Sequence, residues 1–286
     1  MTYARPVGAV SLVALLLLLL HGASHTAWGE AAGVAPTKSG RPNCDRATFR
    51  VVVDVGHTVD QPGAKSARGV SEYEFNLRLA RQIEQNLIDA GFGRTALLVI
   101  ADPPPGGLVK RVARANGLPA DLLLSIHHDS VPDSLLERWE HAGNEHHFSD
   151  RFKGHSIFVS NDNGDRKGSL LFGKLLGNQL KGRGLQYTPH YLEKVMGNRR
   201  RALVDAEAGV YRYDQLIVLR STRMPAVLLE AGLIINRDEE LLLGSPEHQS
   251  LISAAVTDAV EIFCGSRSPR GRPAPAAQPA RPVKRP

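Results

Sequence analysis

Two histidines and two glutamates are the residues in this sequence best placed to do chemistry together. They stand in the stretches VVVDVGHTVDQPGA, GVSEYEFNLRLA, DLLLSIHHDS and MPAVLLEAG. His57 follows a β-branched run, Glu72 opens an amphipathic segment, His127 ends DLLLSI and Glu230 ends AVLL. Two imidazoles and a carboxylate make the ligand set of a catalytic zinc that keeps one position open for water. A fourth group, Glu230, is then free to act as a base. Glu72 has to be separated from Glu74. Ser71-Glu72-Tyr73-Glu74 fits a capping box, which gives Glu74 a structural task and leaves Glu72 as the ligand. His128 adjoins His127, but neighbouring strand residues point to opposite faces, so the metal role goes to His127. Taken singly, each histidine reads equally as a hydrogen-bonded loop or core residue, and the spacing is no local zinc signature of the H-E-x-x-H kind.

Convergence of such scattered groups requires a sheet edge. Thr48–Val55 reads as a strand, followed by a helix from Ser71 in which Phe75, Leu79, Ile83 and Leu87 recur every four residues up to Gly91. Short strands are expected at Ala96–Ile100, Asp121–Ile126, Ser156–Ser160, Gln215–Leu219 and Ala226–Leu229, and helices at Leu108–Asn116, Ser169–Leu180 and Pro246–Phe263. Such alternation indicates one α/β domain with a mostly parallel or mixed central sheet and helices on both faces. In sheets of this kind strand C-termini and helix N-termini share the edge where ligands bind. Asp129–Gly154, carrying Trp139, His141, His146 and His147, and Thr188–Tyr213, carrying Arg199-Arg200-Arg201, are long insertions and candidate substrate walls. The arginine run reads first as a solvated charge cluster, and second as a contact for substrate carboxylates.

The ends of the chain are of another kind. Arg5 precedes an apolar run from Val7 to Leu20, and small residues follow; residues 1–29 read as a secretory signal peptide, too short to span a bilayer. Residues 30–43 form a small, polar leader, 44–265 the folded domain, and 266–286 a basic, proline-rich tail that cannot bury a core. The 286 residues carry a net charge of +6, and the six cations of that tail account for all of it, leaving a neutral body. High overall basicity is therefore no argument for nucleic-acid binding. Export permits a disulfide between Cys44 and Cys264; the alternative is two separate buried thiols.

These segments together resemble the zinc-dependent N-acetylmuramoyl-L-alanine amidases of the Amidase_3 type. The resemblance rests on Gly56-His57-Thr58-Val59, on Glu72 before Asn76-Leu77, on Ser125-Ile126-His127-His128-Asp129 and on Pro225 through Leu233, and runs from about Cys44 to Gly265 in the family order. A further pattern recurs as Leu108, Arg111, Ala115-Asn116 and Ala120-Asp121. The resemblance implies that His57, Glu72 and His127 bind Zn2+ and that Glu230 is the catalytic carboxylate. It also implies a periplasmic or extracellular hydrolase, with peptidoglycan as substrate and an activator protein as an open partner, that cuts the bond between the lactyl group of N-acetylmuramic acid and L-alanine. A monomer is expected, with no transmembrane segment in the mature chain. The sequence departs from the family at Thr58-Val59, where glycines are usual, and at His128, usually a small residue. Only Asn161–Gly168 stands where regulated members insert a blocking helix, which leaves Glu193 or Glu207 as carboxylates able to mask the metal. A zinc peptidase acting on stem-peptide bonds and a non-catalytic wall-binding module are the competing readings.

Overall fold

Val51–Val55 (β1) is buried at every position, and its alternation divides the molecule into two layers. Val51, Val53 and Val55 pack against Phe75, Leu79 and Ile83, whereas Val52 packs with Leu98, Val112 and Leu123 on the other side. This computed structural model describes residues 44–101 and 106–267, so the expected signal peptide, the leader and the tail beyond Arg267 lie outside the described residues. β1 is followed by α1 (Glu72–Asp89), β2 (Ala96–Leu98), α2 (Gly107–Gly117), β3 (Leu122–Asp129), β4 (Glu137–His141), β5 (Asn144–Phe148) and β6 (Ser156–Val159). Then come α3 (Arg166–Gly182), β7 (Ala202–Asp205), β8 (Val210–Arg212), α4 (Ile217–Ser221), β9 (Ala226–Leu233), α5 (Arg237–Gly244) and α6 (Pro246–Ser266).

Seven strands form a mixed sheet in the order β2-β1-β3-β9-β6-β8-β7. β1 runs parallel to β2 and β3, β3 to β9, and β6 to β8; β6 against β9 and β7 against β8 are antiparallel. Residues of α1, α3 and α6 fill the larger core layer, and those of α2 and α4 the smaller one, so helices cover both faces. Burial of this continuous apolar surface is the main force holding the layers together. Among the described residues no helix is long and apolar enough to cross a membrane.

Four segments differ from the sequence expectation, the first being Thr188–Tyr213, read as an insertion, which holds β7 and β8 of the central sheet. Gln215–Leu219 is not a strand: Ile217–Ser221 forms one short helix that buries Val218 and Leu219 against the smaller layer. An apolar run this short carries no decisive period. Residues 129–154 contain a β-hairpin, β4 with β5, closed by Ala142 (φ 50°) and Gly143 (φ 77°). Both central residues are left-handed, as a type I′ turn demands, but alanine stands where asparagine usually announces the turn. α5 was also unforeseen, although Asn236 caps it by accepting from the N–H groups of Asp238 and Glu239.

Cys44 and Cys264 are joined by a disulfide whose Cα atoms lie 5.1 Å apart, tying the start of the domain to the end of α6. Arg46 pairs with Glu261 beside it at 2.5 Å. The bridge closes a loop with a sequence separation of 220, for which chain-entropy reasoning gives up to about 5 kcal/mol. Replacing both cysteines by serine is therefore expected to lower the melting temperature markedly. Thermal unfolding of the oxidised protein, the reduced protein and the double variant measures it, and reduction should reproduce the double variant.

Candidate metal centre

His57 leaves β1 at a sharp turn, and its backbone is left-handed (φ 67°), which is unusual for a residue with a side chain. Arg111 on α2 holds that turn. Its Nη2 donates to the His57 carbonyl at 2.7 Å, while Nη1 donates to the Val55 carbonyl and to Asp54 Oδ1. Ser125 on β3 donates to the other Asp54 oxygen at 2.7 Å. Arg111 and Asp54 are buried and paired, so the conformation that presents His57 is fixed from below. Thr58, at a position where the family has glycine, closes the next turn: its Oγ1 accepts from the Gln61 N–H at 3.0 Å.

Glu72 opens α1 as expected, and it is 5% exposed. Ser71 caps the helix and donates its hydroxyl to Glu74 at 3.0 Å, so Glu74 is spent on the cap at the surface. Glu72 Oε2 lies 3.0 Å from His57 Nε2, and Oε1 lies 3.0 Å from His127 Nδ1. The Ala64 N–H donates to Oε2 at 3.1 Å, while Asn76 Nδ2 and the His128 N–H donate to Oε1 at 3.2 and 3.3 Å. Burial acts to raise the pKa of this carboxyl, but the hydrogen bonds from His127 and His57 overcome it and hold the group well below the usual carboxylate range.

His127 lies within β3, near its end, where the ladder is interrupted by a register shift between His127 and Asp129. His128 faces the other side, as alternation requires; it is buried, and its Nδ1 donates to Asn76 Oδ1 at 2.8 Å. Burial lowers its pKa to about 3, which keeps it neutral. A chain of donors thus runs from His128 to Asn76 to Glu72, while Asn76 also reaches the Gly56 carbonyl at 3.3 Å. Two glycines are required here. A Cβ on Gly56 would come within 2.4 Å of the His127 ring, and one on Gly63 (φ +77°) within 2.4 Å of Glu72 Oε2. Because the groups orienting metal ligands typically govern affinity by 10- to 100-fold, Asn76→Ala is expected to weaken metal binding by about that factor, measured by competition against a chelator.

One donor atom from each of His57, Glu72 and His127 lies within 4.8 Å of the other two. Two imidazole nitrogens and a carboxylate oxygen suit a zinc ion that leaves a coordination position open. Neither Glu193 nor Glu207 belongs to this group; Glu193 is engaged by Arg151 at 2.7 Å.

Glu230 lies inside β9 rather than at its end, directly across from His127 in the parallel register. Its Oε2 is buried and has no hydrogen-bond partner. Burial above all, with Asp129 and Glu72 adding repulsion, pushes its pKa well above the ordinary value against the pull of Arg199. The insertion after α3 supplies this surrounding. Tyr191 donates to Asp129 Oδ2 at 2.7 Å, Arg199 Nη2 donates to Asp129 Oδ1 at 3.1 Å and to the Ser130 carbonyl at 2.9 Å, and His190 Nε2 lies 3.3 Å from Asp129. Arg199 is therefore no solvated charge but half-buried and anchored. Asp129 and Tyr191 were not singled out in the sequence; the acid directly after two histidines and the unusual length of the insertion were the available signals.

A mixed α/β sheet that gathers His57, Glu72 and His127 where they could hold a metal ion, beside a glutamate with a buried, unpaired oxygen, suits a metal-dependent hydrolase. The chain belongs to the N-acetylmuramoyl-L-alanine amidase family, whose model matches residues 51–262. Among its relatives, the N-acetylmuramoyl-L-alanine amidase AmiA of Salmonella typhimurium is 25% identical over 264 residues, covering 86% of this chain and 87% of the relative. The fold is shared with the N-acetylmuramyl-L-alanine amidase Ami1 of Mycobacterium smegmatis, with a TM-score of 0.60, 20% identity, and 77% of this chain and 99% of that one covered. It is also similar to the catalytic domain of CwlV, the amidase of Bacillus (Paenibacillus) polymyxa, with a TM-score of 0.53, 25% identity, and 74% and 96% covered. Membership makes the chain a peptidoglycan hydrolase of the N-acetylmuramoyl-L-alanine amidase type.

Proposed function

We propose that the chain is a zinc amidase in which His57, Glu72 and His127 hold the metal and Glu230 is the proton carrier. The observation that carries this reading is the meeting of those three side chains within 4.8 Å, from three separate elements, in a member of the amidase family. Zinc held there supplies Lewis acidity to the scissile carbonyl and lowers the pKa of water toward about 7. Glu72, with both oxygens held by N–H donors, keeps His57 and His127 turned toward one point. Glu230 takes one proton of the attacking water and returns it to the departing L-alanine nitrogen, so that the amine leaves neutral; the water's second proton stays on the new lactyl carboxyl and is then lost to solvent, leaving a carboxylate. Its low-dielectric surroundings favour the protonated form once the proton has arrived.

The domain 44–265 acts as the catalytic unit, exported by residues 1–29 to the periplasm. The Cys44–Cys264 bridge supports an oxidising compartment, since disulfides are rare in reducing ones. Digestion of purified peptidoglycan tests the activity. The expected products are free muramic-acid lactyl carboxyls and new L-alanine amino termini, lost on chelation and restored by zinc. New termini inside the stem peptide would instead identify a peptidase, and no product at all a binding module.

A further inference from the structure

β9 has a neighbour on each side at Glu230. The parallel register sets His127 of β3 beside it, and the antiparallel register sets Ser156 of β6 beside it. Paired positions share a face, so His127, Glu230 and Ser156 form a row across the sheet. Ser156 is fully buried and its hydroxyl has no hydrogen-bond partner, and the same holds for Glu230 Oε2. Buried hydroxyl and carboxyl oxygens are rarely left unpaired. Directly opposed residues of an antiparallel pair have Cβ atoms about 5 Å apart, within which a serine hydroxyl turned about its single torsion reaches a glutamate oxygen.

Several polar groups nearby are already committed, while His190 Nε2, 3.3 Å from Asp129, makes no hydrogen bond. Tyr191 donates its hydroxyl to Asp129, Tyr211 donates its own to the Thr188 carbonyl at 2.7 Å, and Asp129 also accepts from Arg199 and the Ser130 N–H. Farther along the strand the layer becomes apolar with Phe158, whose ring stands edge-on to Tyr191. The side chain directly across the strand pair from the Ser156 hydroxyl is Glu230, whose Oε2 is free to accept. We propose that Ser156 is a positioning residue for the reaction: its hydroxyl donates to Glu230 Oε2, fixing the carboxylate so that its other oxygen faces the substrate water. The hydrogen bond is made to the ionised form, which is the form that accepts the proton. This inference rests on Glu230 being the proton carrier.

Four proteins test it together: the full wild-type chain, Ser156→Ala, Glu230→Gln and the double variant, each assayed for zinc content, melting temperature, kcat and KM on peptidoglycan fragments. Hydrogen bonds to charged groups have a strength that predicts a loss in kcat of about 10- to 100-fold in Ser156→Ala. KM, zinc content and melting temperature should stay at wild-type values, the pattern of a group that orients the base without binding substrate. In the Glu230→Gln background, Ser156→Ala should cost nothing more. Wild-type kcat in Ser156→Ala would overturn the proposal, as would a loss shared with zinc content or melting temperature, or an equal loss in the Glu230→Gln background. Turnover retained by Glu230→Gln would remove the proton carrier itself, a failure read separately from the serine comparison.

Discussion

Glu230→Gln is expected to retain zinc and fold but to lose turnover by about 10²- to 10⁴-fold, the range that a positioned proton carrier typically contributes. The amide is nearly isosteric and sits in a strand whose other positions are buried, so the sheet has no reason to move. The pH dependence follows from the same surroundings. Burial and the charges of Asp129 and Glu72 raise this pKa, and a base must be ionised to accept a proton. Wild-type activity should therefore rise with pH through a step lying above the usual carboxylate range, and that step should be absent in the variant. Kinetics across pH beside metal analysis of both proteins provide the check, and a variant that keeps wild-type turnover would end the assignment.

Glu72→Gln removes more. The carboxylate gathers His57 Nε2, His127 Nδ1 and three N–H donors around two oxygens. An amide offers one oxygen, turns an NH2 toward one of those partners and carries no charge for a cation. Metal content and turnover should both collapse, the latter by at least about 10³-fold given how much of such catalysis depends on the ion. Glu74→Gln is the matched control, because Glu74 accepts only from Ser71 at the surface. It should keep both metal and activity. Were the two variants to behave alike, the separation of ligand from cap would be wrong.

Much of the cleft could be read from the chain because each residue proposed as a ligand is introduced by a local signal. A β-branched run precedes His57, a capping serine precedes Glu72, and a buried leucine run precedes His127, all of which the structure retains. The opposite orientation of His128 followed from strand alternation, and its neutrality from burial. What could not be read depends on contacts between remote segments. Arg111 reaches the His57 turn from α2, and Arg199 is drawn from a basic run onto Asp129 by a fold-dependent meeting. The β4–β5 hairpin was missed because Ala142 adopts a backbone conformation that alanine seldom signals. Gln215–Leu219 was misassigned because four apolar residues suit a strand as well as a turn of helix until Val218 and Leu219 are seen to pack.

The assignment of His57, Glu72 and His127 stands most directly on where a metal binds. Diffraction from crystals grown with zinc, recorded on both sides of its absorption edge, should show one strong anomalous peak per chain. That peak is expected in bonding contact with His57 Nε2, His127 Nδ1 and a Glu72 oxygen, about 2.0–2.2 Å from each, with Glu230 nearby and unbound. A peak elsewhere on the chain, or none at this cluster in zinc-replete crystals, would contradict it.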